Sequence, residues 1–203
     1  FLKGGLFPFA LDEPDILPLM GNILDKIITS DIPLIGRLLT DEIPILHRMM
    51  RFIGSSPPDG INYSSLSNNL KITKYKAEQY TQLLEQAFVL KCVLPAGTNV
   101  MKEPKILMRL PYRLLFQSYE TAIGALREEF FAEMMIAKGI SFNYLKSTRG
   151  AKTPDYLVQV DTESYVIEIG GPGKGREQFK GFDGKKNLIL AQGNEIVGIK
   201  RPL

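Results

Sequence analysis

Apolar residues recur at helical spacing near the start of the chain. Ile16, Leu17, Met20, Ile23, Leu24, Ile27 and Ile28 put one apolar face on a helix running from about Asp15 to Thr29. Residues 1–14, with their glycines and prolines, predict an irregular lead-in. Asp31-Ile32-Pro33 is expected to end the helix, because proline disfavours helical geometry in the residue before it.

From Ile43 the pattern changes to shorter periods. Ile45, Leu46, Met49, Met50 and Ile53 predict one helix, and residues 54–60 form a turn cluster. Asn62 to Leu70 predicts a second helix, with Leu66 and Leu70 on one face. A third carries Ala77, Tyr80, Leu83, Leu84, Ala87 and Phe88, with Thr73 placed to cap it. Val89 to Leu94 and Lys105 to Met108 read as two strands joined by a loop. Three helices followed by a two-stranded wing is the winged-helix plan. In that plan the third helix offers Lys74, Lys76, Gln79 and Gln82 outwards, with Lys71 in the preceding turn. These residue types contact phosphates and base edges. A solvated face, or a protein-docking face, is the alternative for the same residues.

Beyond Pro111, a short helix to Ser118 and a longer one from Tyr119 to Ala137 are expected. The longer one packs through Ile123, Leu126, Phe130, Phe131 and Met134. Ile140 to Leu145 reads as a strand. Tyr156 to Val160 and Tyr165 to Ile169 read as a hairpin around the polar turn 161–164. With Val160 facing Tyr165, Asp155 lies opposite Gly170. Glu168 is then diagonal to Asp155 on the same face, about 7–8 Å away. One Mg²⁺ ion can bridge two carboxylates at that reach and activate a water for phosphodiester attack. Two solvated acids on an exposed sheet face is the plainer alternative. Leu188 to Ala191 and Ile196 to Ile199 predict two further strands. Arg176, Gln178, Lys180, Lys185 and Lys186 form a local basic cluster after a glycine-rich turn that lacks the Walker A spacing.

Composition narrows the classes. The chain has 203 residues, 44% of them hydrophobic, which suffices for a packed core. Its 25 basic and 22 acidic residues leave a net charge of +3, so nucleic-acid binding must come from local clusters rather than from overall charge. Cys92 is the only cysteine and His47 the only histidine. An intrachain disulfide, a thiolate zinc site and a His-rich metal site are therefore excluded. His47 is expected on a helix face without chemistry. No apolar run approaches the roughly 20 residues that span a bilayer, so no membrane partner is expected, and a reducing cytoplasm is the expected compartment. The lack of an initiator methionine suggests a piece of a longer protein.

Pro154-Asp155 followed by Glu168-Ile169 resembles the acids of the PD-(D/E)xK, restriction-endonuclease-like core. Gly170 stands where that motif has lysine, and Lys174 is the displaced candidate. More broadly, the chain resembles the C-terminal half of prokaryotic AAA+ ATPases that carry a winged helix and then a nuclease-like domain. The matching stretches are Phe1 to Pro8, Ile23 to Ile32, Tyr80 to Ala87, Pro104 to Ile106, Leu126 to Phe131, Pro154 to Val158 and Ile167 to Gly171. The resemblance implies an ATPase domain upstream, with ATP bound only there. It also implies a partner surface for that domain on the apolar lead-in, which could otherwise drive homo-oligomer formation. It assigns Asp155 and Glu168 as Mg²⁺ ligands, Glu128 as auxiliary acid with Glu129 in reserve, and Lys174 as electrostatic stabiliser.

The expected fold is mixed α+β: a helical lead-in over 1–40, a winged helix over 41–110 and an endonuclease-like α/β core over 111–203. The expected function is a nucleic-acid-binding, regulatory module of an AAA+ ATPase, with a weak or inactive nuclease core. An active Mg²⁺-dependent endonuclease and a protein-interaction scaffold are the alternatives.

Overall fold

The computed structural model describes residues 2–4, 7–97, 103–145, 153–171, 179, 186–194 and 196–203. The chain is mixed α+β and divides into two compact units. One comprises 1–92 and 103–126, the other 93–102 and 127–203.

In the first unit the lead-in is part of the main core. The helix α1 (Leu17–Lys26) runs through a wide π turn (Ile27–Asp31) into α2 (Ile32–Gly36). Met20, Leu24, Ile28 and Ile32 are all buried. A strict four-residue repeat drifts around an ordinary 3.6-residue helix. The π turn holds more residues per turn, so it returns Ile32 to the buried face. The helical path therefore continues where Pro33 was expected to end it. Pro33 sits in the first turn of α2.

The helices α3 (Ile43–Ser55), α4 (Tyr63–Leu70) and α5 (Lys74–Gln86) follow, then β1 (Leu90–Val93) and β2 (Lys105–Met108), paired as a two-stranded sheet. This is the expected order of three helices and a strand pair. The starts of α4 and α5 are fixed locally. The Asn62 side chain accepts from Ser65 N at 2.9 Å, and Asn62 N donates to Ser65 Oγ at 2.9 Å. Thr73 Oγ1 accepts from Lys76 N at 3.2 Å, the cap anticipated from sequence. Ile106 N donates to Ile61 O at 3.0 Å, so the residue before Asn62 adds a single rung to β2. One apolar cluster joins Met20, Leu24 and Ile28 to Leu46, Met50, Leu66, Tyr80 and Leu84.

The expected short helix after Pro111 is a 3₁₀ turn, Tyr112–Leu115. It carries Arg113, whose side chain is fully buried. Arg113 Nη1 donates to the carbonyls of Ile53, Gly54 and Ser56 at 3.2, 3.1 and 2.8 Å, and Gln117 Nε2 donates to Gly54 O at 2.7 Å. The last turn of a helix leaves carbonyls without helical partners, and here a guanidinium collects them. Gly54 is needed for this closeness: a Cβ there would meet the Phe116 ring at 2.2 Å.

The second unit contains the C-terminal part of α6 (Tyr119–Ala137) and a sheet of β3 (Ser141–Tyr144), β4 (Tyr156–Val160), β5 (Glu163–Gly170), β6 (Lys186–Ala191) and β7 (Lys200–Pro202), side by side in that order. β3, β4 and β5 run antiparallel, while β6 and β7 join parallel. The last strand therefore falls after the predicted 196–199. Pro202, lacking an N–H, lies in this outer strand, where it interrupts the ladder least. Leu94 and Ala96 extend the other edge: Tyr144 N donates to Leu94 O at 3.0 Å and Ala96 N to Tyr144 O at 2.8 Å. On one sheet face, Phe131 of α6 packs against Phe142 and Tyr156, with ring centroids 5.7 and 4.9 Å apart. Val166, Ile189 and Phe179 form a separate cluster with Leu157.

Replacing Arg113 by methionine keeps the volume but strands buried carbonyls. The variant is expected to lose roughly 2–4 kcal/mol of unfolding free energy, read by urea denaturation. A loss within experimental error would show that the guanidinium does not hold this helix end.

Candidate nucleic-acid interface and acidic pair

The α5 helix is oriented by one carboxylate. Glu42 Oε1 accepts from Lys76 Nζ at 2.9 Å and from the Tyr80 hydroxyl at 2.5 Å, and Oε2 accepts from Leu39 N at 2.8 Å. The Glu42 side chain is only 10% exposed. Hydrogen bonds from Lys76, Tyr80 and Leu39 outweigh burial and hold the carboxyl down at about 2. Burial, followed by the bond to Glu42, pushes the Tyr80 hydroxyl up to about 12. Lys76 and Tyr80 stand at i and i+4, so one side of α5 is fastened inwards.

The opposite side is consequently presented. Ala77, Tyr80, Thr81 and Leu84 are buried. Half a turn around the helix lie Tyr75, Gln79, Gln82 and Gln86, spaced as an i, i+4, i+7, i+11 stripe. Tyr75 is 74% exposed. Lys71, in a left-handed turn with φ 57°, is exposed just before the helix. Lys74 flanks the stripe on one side and forms an ion pair with Glu103. Of the sequence-predicted residues, Lys71, Gln79 and Gln82 therefore belong to the outer surface and Lys74 to its border. Lys76 reaches back to Glu42. Tyr75 is the surface residue that the sequence reading missed. The signal was present, since Tyr75 falls opposite the apolar stripe of the same helix.

In the second unit the hairpin turn has two residues rather than four. Val160 pairs with Glu163 and Tyr156 with Ile167. Asp161 takes φ 52° at the turn, a conformation that Asp tolerates. The shift of two residues preserves each side chain's face. It also brings Asp155, one rung beyond Tyr156, directly opposite Glu168 rather than Gly170. Asp155 Oδ2 accepts from Ile169 N at 2.6 Å, capping the end of the β4–β5 ladder. Glu168 is 1% exposed. Glu128 Oε2 accepts from the Tyr156 hydroxyl at 3.2 Å. Tyr156 alternates with Asp155, so Glu128 meets the sheet on the face opposite the acidic pair. The reserve acid Glu129 is buried. Lys174, and with it Arg176, Gln178, Lys180 and Lys185, lies outside the described residues. Lys186 pairs with Glu163.

The fit of Mg²⁺ to this arrangement is incomplete. Among the described residues no three His, Cys, Asp or Glu side chains gather into a cluster that could hold a metal ion. Asp155 is engaged by a backbone N–H, and Gly170 offers no cation. Burial pushes the Cys92 thiol up to about 12. His47 lies 3.6 Å from Asp25 on the helical surface. Among the described residues no helix is long and apolar enough to cross a membrane.

No protein-family model and no curated protein matches the sequence. Among known structures, the chain is similar to MepR, a transcription regulator of the Staphylococcus aureus multidrug efflux pump MepA. The TM-score is 0.30 at 8% identity, over 62% of this chain and 82% of that one. Similarity to MepR in the S. aureus MepR–DNA complex gives 0.32 at 9% identity, over 65% and 93%. For RV1404 from Mycobacterium tuberculosis the values are 0.29 and 18%, over 63% and 78%. Scores this low carry no functional inference.

Glu42 makes a pH signature. Its folded-state value lies below the ordinary 4.5, so its contribution is complete above about 4.5 and disappears as pH falls towards about 2. Glu42→Gln is expected to unfold more easily at pH 7 and to show a flatter fall in stability across that window, read by denaturation at a series of pH values. Parallel curves for the two proteins would contradict this assignment.

Proposed function

We propose that the chain is a nucleic-acid-binding regulatory module. The helical unit reads duplex DNA through the outer stripe of α5. The observation that carries this reading is the stripe itself: Tyr75, Gln82 and Gln86 exposed and Gln79 half-buried along one side of the helix, with Lys71 and Lys74 at its start. Glutamine amides match adenine edges in the major groove, and lysines at the border suit phosphates. Glu42 fastens the back of the helix, so the stripe is presented without a large ordering cost.

The second unit is an endonuclease-like core in this reading. The sequence of a helix, three antiparallel strands and a parallel return strand supports it, as does the Asp155–Glu168 juxtaposition. The core acts without efficient chemistry, because Gly170 replaces the motif's lysine and Glu128 stands on the other sheet face. Placement of this module downstream of an AAA+ ATPase domain in the parent protein is the remaining part of the proposal. It rests on the sequence resemblance alone.

Fluorescence anisotropy with a labelled duplex over a salt series tests the binding role. Lys71→Ala is expected to weaken binding for all sequences and to lower the slope of log K against log salt by about 1. Gln79→Ala and Gln82→Ala should instead reduce discrimination between sequences. Binding indifferent to all three substitutions would contradict the reading. In a plasmid-nicking assay with Mg²⁺ or Mn²⁺ no cleavage is expected. Cleavage abolished by Asp155→Ala and by Glu168→Ala would establish the endonuclease instead.

A further inference from the structure

Glu103 sits at the foot of the connection that leads into β2. Its carboxylate gathers three donors from two helices. Oε2 accepts from Ser64 N at 2.9 Å, Oε1 accepts from Ser64 Oγ at 2.5 Å, and Lys74 Nζ forms an ion pair with Oε1. A backbone N–H in the first turn of a helix, a hydroxyl and an ammonium are the donors that DNA-binding proteins commonly direct at a phosphate. The carboxylate thus holds, at the border of the α5 surface, a set of donors that suits a phosphate.

The two lysine pairs of α5 differ in exchangeability. The Lys76 side chain is 44% exposed, and the carboxylate that holds it, shared with Tyr80, is 10% exposed. The Lys74 side chain is 54% exposed and Glu103 is 21% exposed. An ion pair this open to solvent contributes little to folding and is easily exchanged. A polyanion approaching α5 meets the Glu103 charge and also competes for the same ammonium. We propose that Glu103 is an electrostatic latch on the nucleic-acid face. It holds Lys74 in the unbound chain and yields it to a backbone phosphate when a duplex docks. The latch sets a threshold on affinity, so that sequences offering good contacts to the outer stripe are favoured over bulk DNA. This inference rests on the DNA-binding reading given above.

Glu103→Gln tests it, because the amide oxygen still accepts from Ser64 while the negative charge is gone. Measured on the full chain by anisotropy with a labelled duplex of arbitrary sequence, the variant is expected to bind about three- to ten-fold tighter at low salt. The gain should shrink in a Lys74→Ala background, where only the repulsion by Glu103 is relieved, with the thermal midpoints of the single variants confirming intact folds. Unchanged or weaker binding by a folded Glu103→Gln variant would overturn the latch while leaving the DNA-binding reading in place. So would a gain that is undiminished without Lys74. Failure of both wild type and variant to bind would overturn the reading, and the latch with it.

Discussion

The buried carboxylate of Glu42 is the constraint from which the arrangement of the helical unit follows. Removing a carboxylate from water is costly unless it is paired and hydrogen-bonded. Here a lysine, a tyrosine hydroxyl and a backbone N–H supply the compensation. All three donors must be in place together, so the segment before α3 and the inner side of α5 are fixed relative to each other. Fixing the inner side determines which residues face outwards. The apolar core supplies most of the driving force, while Glu42 supplies the orientation. Arg113 performs the corresponding task at the far end of α3, where it gathers the carbonyls of Ile53, Gly54 and Ser56.

Much of this fold was legible because its signals are local. Thr73 announced the start of α5 through a cap that needs only four consecutive residues. The alternation at Tyr156 to Val160 announced a strand, and its pairing partner was correct. What escaped were features decided by geometry over longer distances. Pro33 looked like a stop, yet the four-residue repeat from Met20 to Ile32 called for a π turn that carries the helical path past it. The hairpin turn closed two residues tighter than its polar composition suggested, because two-residue loops match the twist of the flanking strands. The Glu42–Tyr80 and Glu103–Ser64 contacts carried no local signal, since the partners lie 38 and 39 residues apart.

The candidate chemistry divides in the same way. The period of two places Asp155 and Glu168 on a common face, and the contact that the structure shows there is Asp155 accepting from Ile169 N, next to Glu168. Glu128 was chosen from its position on a helix preceding the sheet, but helix position alone does not decide which sheet face a side chain meets. It meets the face occupied by Tyr156. Lys74 and Lys76 looked equivalent as neighbouring basic residues on one helix. Their acidic partners distinguish them: one is fastened into the fold and the other stays at the surface.

The outer stripe of α5 is the surface proposed to meet nucleic acid. Backbone amide chemical-shift mapping of the isotope-labelled chain, titrated with a short duplex, examines this residue by residue. The predicted result is a contiguous set of perturbations at Lys71, Lys74, Tyr75, Gln79 and Gln82, with little change at Ala77, Tyr80 and Leu84. Perturbations confined to α1 and α2, or to the strands of the second unit, would contradict it.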